Sequence, residues 1–168
     1  MNIGNFINQY GGNLARPTKF TAILNPPESI PSDTKAFDIL CKTVSLPEIT
    51  HVSVEAKYKG HTVPIPARTD TQHEVSMTFY LPEDHQLRKI FYDWIRIIDS
   101  TGEDDLEPTD KFGSLTLLAR DFSESNEVIK EYSFENVYPT VVGSLDFNSS
   151  GSNEIMEFSI TFTFLKYT

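Results

Sequence analysis

Four histidines, one cysteine and a crowded run of carboxylates are the side chains here whose types could do chemistry. His51, His61, His73 and His85 are scattered, with no His-Glu-x-x-His pair on one helix face to hold a metal. The lone Cys41 excludes an internal disulfide and a cysteine zinc site. It sits in the apolar run Phe37-Asp38-Ile39-Leu40-Cys41, which reads as a buried, inert thiol. Asp104-Asp105 offers two carboxylates, but in a stretch that reads as loop, without the pocket that would tune a catalytic pair. No phosphate-binding glycine loop, dinucleotide fingerprint or nucleophile elbow occurs. The chain is expected to be neither an enzyme nor a cofactor carrier.

The carboxylates nonetheless form a pattern. Between Asp99 and Glu135 stand eleven acids against Lys111, Arg120 and Lys130, a net of −8 within a total of −10. So acidic a chain lacks the basic footprint that gripping phosphates requires. The acidic run is either a solvated face or a docking surface for a basic partner.

The elements that would carry these residues follow from periodicity. With 168 residues, 39% hydrophobic and 23% charged, the chain suits one globular domain, 1–168. Its polar first residues lack a secretory signal, and no apolar stretch approaches a membrane span, so a cytoplasmic origin is expected. Alternation of period two marks strands. Val75, Met77, Phe79 and Leu81 share one face against Glu74, Ser76 and Thr78. Phe158, Ile160, Phe162 and Phe164 share one face against Glu157, Ser159, Thr161 and Thr163. Lys19–Leu24, Ala36–Val44, Gly113–Arg120, Val128–Phe134 and Val141–Phe147 are further strand candidates, with a turn at 148–153 joining the last strands into a hairpin. One helix is predicted over 82–99. Leu87, Ile90, Phe91, Trp94, Ile97 and Ile98 form a single apolar stripe there, after Pro82, Glu83 and Asp84.

Residues 46–72 read as a projecting hairpin. Lys59-Gly60 suits a two-residue turn, and pairing Tyr58 with His61 sets Ala56 opposite Val63, Val54 opposite Ile65, and Val52 opposite Ala67. One face of the ribbon is then apolar, His51 and His61 fall on opposite faces, and Pro64 and Pro66 blunt an outer edge. A two-stranded ribbon is barely stable alone, so this face must dock either on the chain's own core or on a neighbouring subunit.

Several segments also resemble a known family. Ala15-Arg16-Pro17-x-x-Phe20, the run before Ser45-Leu46-Pro47, Phe91-x-x-Trp94, and Tyr138-Pro139-Thr140-x-Val142-Gly143 with Asn153-Glu154-Ile155 are similar to tail tube proteins of contractile-tailed bacteriophages. Tyr138 stands where such proteins often carry Trp; the Asn25–Thr34 insert and Glu103–Asp110 are atypical. The resemblance implies an antiparallel β-sandwich or barrel with one flanking amphipathic helix, an N-terminal arm over 1–14, and hexameric rings stacked into a hollow tube within a virion. It implies as partners the chain itself, a tail sheath protein, a baseplate initiator, a tape-measure protein, and DNA that passes without specific binding; no membrane is involved. In such a tube Glu74, Ser76, Thr78, Glu157, Ser159, Thr161 and Thr163 would line the lumen. Val52, Val54, Ala56, Val63, Ile65 and Ala67 would stack rings, and Glu103, Asp104, Asp105 and Glu107 would face the sheath. The related alternatives are a baseplate tube initiator and a type VI secretion tube protein. A carbohydrate-binding sandwich would instead show aromatics around an exposed groove.

Overall fold

Two strands and a helix make the centre of the molecule. In β5 (Glu74–Tyr80) and β8 (Glu157–Thr163) every second residue turns inward, so that Val75, Met77, Phe79, Phe158, Ile160 and Phe162 are all buried. The helix Gln86–Ser100 lays its apolar stripe on that dry face: Leu87, Phe91 and Trp94 are buried, and Ile90, Ile97 and Ile98 pack beside them. The Phe91 ring lies 5.4–6.3 Å from the rings of Phe37, Phe79, Phe158 and Phe162, at tilted and edge-on angles. Trp94 donates its indole N–H to the Lys111 carbonyl at 2.9 Å, so burying the ring leaves no polar atom without a partner.

The computed structural model describes residues 17–30, 34–100, 111–121, 126–151 and 154–168. Along the chain these form β1 (Phe20–Asn25), α1 (Thr34–Leu40), β2 (Cys41–Ser45), β3 (Ile49–Tyr58), β4 (His61–Thr71), β5, α2 (Gln86–Ser100), β6 (Gly113–Arg120), β7 (Val128–Val142), β8 and β9 (Lys166–Tyr167). All strand pairs are antiparallel, in the order β1-β6-β7-β8-β5-β2, with β9 against β7 and β3-β4 as a separate ribbon. The fold is an open antiparallel β-sandwich with a flanking helix.

β7 belongs to both layers. Its first part pairs with β6, whereas Tyr138–Val142 pairs with β8. The switch falls at Asn136, which the β6 register skips and whose φ of 55° lies in the left-handed region that Asn tolerates. The extra residue bends the strand, and a second irregularity follows between Pro139 and Val141.

The sequence-based strand over Ala36–Val44 is corrected: it splits into helix α1 and strand β2. A strand would put Phe37 and Ile39 on one face; a helical turn separates them, burying Phe37 in the aromatic cluster and leaving Ile39 in water. Asp38 then accepts a hydrogen bond from the Ala22 N–H at 3.1 Å, so α1 covers the outer edge of β1. Val141–Phe147 is corrected as well. The strand ends at Val142, and residues 143–148 form a loop. The long helix begins at Gln86 and not at Pro82. The preceding residues form a turn in which His85 has a φ of 54° and Asp84 accepts the Gln86 N–H.

Gly113 marks the tightest approach in this packing. A Cβ there would collide with the Asn25 carbonyl and lie 2.8 Å from the Trp94 ring. Gly113→Ala should therefore destabilise the fold by about 1–3 kcal/mol, the usual cost of overpacking. Urea unfolding followed by Trp94 fluorescence checks this, and an unchanged midpoint contradicts it.

Candidate assembly surfaces

The side of β5 and β8 that faces away from the core is polar because every second residue must point there. Register brings the seven expected residues together: Glu74 lies opposite Thr163, Ser76 opposite Thr161, and Thr78 opposite Ser159, with Glu157 opposite Tyr80. The same face continues onto β2 through Ser45 beside Ser76 and Thr43 beside Thr78. It continues onto β7 through Tyr138 beside Thr163 and Val141 beside Thr161. Sequence reasoning missed Lys42. Its ammonium donates to Glu157 Oε1 at 2.6 Å and lies 5.7 Å from the centre of the Tyr80 ring. The hydrogen bond to Glu157 raises the Lys42 pKa. With that pair mutually neutralised, Glu74 supplies the remaining charge among the described residues of β5 and β8 on this face. The surface is hydroxyl-rich, nearly neutral and not basic.

Among the described residues, the sheet that bears this face has two unpaired edges. β2 pairs with β5 on one side alone, and the Tyr138–Val142 part of β7 pairs with β8 alone. Its β6 partner ends at Gly113, opposite Val137. Unpaired edge groups are a template for another strand.

The hairpin stands out from the body. Among the described residues, β3 and β4 pack on one another and make no extended contact with another element, and residues 61–70 are exposed throughout. Lys59 (φ 48°) and Gly60 (φ 82°) make the tight turn, since both residues of such a turn need positive φ. Tyr58 pairs with His61, Ala56 with Val63, and Val54 with Ile65, as expected. One pair is corrected: Val52 lies opposite Arg68, because a bulge after the Ser53–Pro66 pair makes Ala67 the extra residue. Val54, Val63 and Ile65 are about half exposed (58%, 46% and 50%), while Val52 and Ala56 are less so. The ribbon therefore leaves these apolar residues open to solvent.

Other candidates separate. Among the described residues no three potential ligands cluster to hold a metal. His51 contacts Thr69 at 3.3 Å, and His73 lies against the Phe164 ring. Burial, and then the Asp38 charge, push the Cys41 thiol up to about 12, so it is protonated and unreactive near neutrality. Glu103, Asp104, Asp105, Glu107 and the arm at 1–14 lie outside the described residues. Among those described, no helix is long and apolar enough to cross a membrane.

The sequence model of a family described as phage tail tube protein matches residues 6–168. A search of curated protein sequences returns no match. Among solved structures, the chain is similar to one in the sheath–tube complex of a PVC extracellular contractile injection system in the extended state. That likeness has 17% identity, 100% of this chain and 97% of that one covered, and a TM-score of 0.61. A chain of the anti-feeding prophage baseplate gives 11% identity, 93% and 95% coverage, and a TM-score of 0.65. A crystal structure of Hcp protein gives 12%, 88% and 90%, and 0.50. At these identities the likeness is one of fold.

Proposed function

The chain belongs to the phage tail tube protein family, and from that premise we propose that it is the repeating subunit of a hollow tail tube. Copies join edge to edge into hexameric rings, rings stack along one axis, and the polar face of β5 and β8 lines the channel.

The observation that carries this reading is the combination of a one-sided polar sheet with two edges that no other described strand pairs. The four strands β7, β8, β5 and β2 alternate in direction, so the outer strands β7 and β2 run oppositely. The β2 edge of one copy can therefore meet the distal β7 edge of the next as another antiparallel pair. Repeating that contact around a ring closes a barrel and leaves no edge. DNA sliding through such a barrel meets hydroxyls and a few carboxylates. A basic wall would hold phosphates; this one does not. The same channel would hold a tape-measure protein before DNA enters, and a baseplate initiator of similar fold would offer the first ring.

The apolar ribbon supplies the axial contact. Val54→Asp or Ile65→Asp places a charge on a face that docking would dry, at a cost of several kcal/mol if the charge stays unpaired. In the free subunit both positions are exposed, so the melting temperature should not change. Tube mass sedimenting after addition of a baseplate nucleus should fall sharply. Variants that polymerise like the parent remove the ribbon from the interface; variants that unfold return it to the subunit's own core.

The acidic run is proposed as a sheath-facing surface, because it follows α2, which covers the side of the sheet opposite the channel face. Exposed ion pairs contribute only about 0–1 kcal/mol each, enough to bias assembly through repetition and weak enough to release at contraction. Neutralising Glu103, Asp104, Asp105 and Glu107 together should reduce sheath loading onto preformed tubes, as should raising salt. Loading indifferent to both changes leaves the run as a solubility feature.

A further inference from the structure

The tip of the hairpin and the far end of the sheet carry opposite charge and matching apolar groups. Between Glu55 and Asp70 the hairpin contains Lys57, Lys59 and Arg68 and no acid, in a chain whose net charge is −10. Tyr58, at the turn, is 66% exposed, and Lys59 Nζ lies 5.4 Å from the centre of its ring. At the other end an open cavity of about 430 Å³ is lined by Asp146, Phe147, Asn148, Glu154, Ile155 and Glu157. Of its large apolar groups, Phe147 and Ile155 are 76% and 71% exposed. The loop is shaped from within, for Asn148 accepts the Ser150 N–H through its side chain and the Gly151 N–H through its carbonyl.

We propose that this cavity is the socket for the hairpin tip of a second copy of this chain, in the neighbouring ring. The inference rests on the tube reading above and adds the receiving site and the direction of stacking. The two parts lie at opposite ends of the same strands. β2 leads into the hairpin root, where the Gln72 N–H donates to the Glu48 carbonyl at 3.1 Å, and β5 leaves it at Glu74. The cavity lies at the end of β5, where Tyr80 pairs with Glu157 and the Leu81 N–H donates to the Met156 carbonyl. Glu74 and Tyr80 are six strand steps apart, roughly 20 Å, so one copy's tip is far from its own socket. The ten residues of β3 extend roughly 33 Å, longer than the distance between the two ends of β5. A plug at one end and a socket at the other make a head-to-tail contact, which repeats along an axis without closing. Tyr58 would enter between Phe147 and Ile155, the kind of aromatic anchor that dominates interfaces. Lys57 and Lys59 would meet Asp146 and Glu154, which sets register and excludes the reversed subunit.

The test is a charge swap. Lys57→Glu with Lys59→Glu in the tip, or Asp146→Lys with Glu154→Lys in the socket, should each raise the concentration needed for tube growth about tenfold or more. The four changes combined in one chain should restore growth to near the parental level. Unchanged melting of each variant shows that folding is not what was lost. As a second readout, Lys59→Cys with Ser144→Cys, at an exposed residue of the cavity lining, in a Cys41→Ser background should yield a ladder of disulfide-linked chains from oxidised tubes. Tubes from the parent, with no rescue by the swap and no ladder, overturn the socket and leave the tube reading intact. A parent that never polymerises on a baseplate nucleus overturns both.

Discussion

The contact between α2 and the inner face of β5 and β8 decides which side of the sheet is dry. Phe91 meets four aromatic rings there and Trp94 fills the space above Phe162. Once that side is committed, alternation sends Ser76, Thr78, Ser159, Thr161 and Thr163 to the other side with no further instruction. A one-residue slip would exchange the two sets, exposing Phe and burying hydroxyls, so the register is held by the full hydrophobic content of both strands. The polar face is thus a consequence of the core, and its chemistry is set by the residues allowed to alternate with the aromatics.

What the sequence made legible follows the strength of local periodicity. β5, β8 and the buried stripe of α2 were readable because period-two and 3.6-residue patterns were unbroken over several repeats. The hairpin register was readable from Lys59-Gly60 outward to Val54 and Ile65, then failed at Val52, where the bulge beside Pro66 adds a residue that alternation alone does not announce. α1 has no clear local signal, because its apolar run is short. Only the tertiary contact of Phe37 with Phe91, and the capping of β1 by Asp38, distinguish a helix there from a strand. Lys42 was invisible as a member of the polar face, since its partner Glu157 is 115 positions away. The corner at Asn136, which lets β7 serve two layers, likewise has no local signal beyond the residue type.

The chain is finished inside and unfinished outside. Its buried side chains fill one continuous core, yet among the described residues two sheet edges stay unpaired and an apolar ribbon extends into water. Each is a cost for an isolated chain, since open edges recruit other strands and exposed apolar surface drives association. Other parts of the same molecule are protected: α1 covers the outer edge of β1, and Pro64 and Pro66 interrupt donors along β4. The protection is selective. What stays open would be satisfied by lateral and axial copies of the chain, and a family of tube subunits is where such geometry is expected.

A cryo-electron microscopy reconstruction of the polymerised protein tests this account most directly. It should show β2 of each copy paired antiparallel with distal β7 of the next, with Ser76, Thr78, Ser159, Thr161 and Thr163 on the channel wall and each hairpin crossing into the adjacent ring. Hairpins folded back onto their own subunits, or hydroxyl faces turned away from the channel, would contradict it.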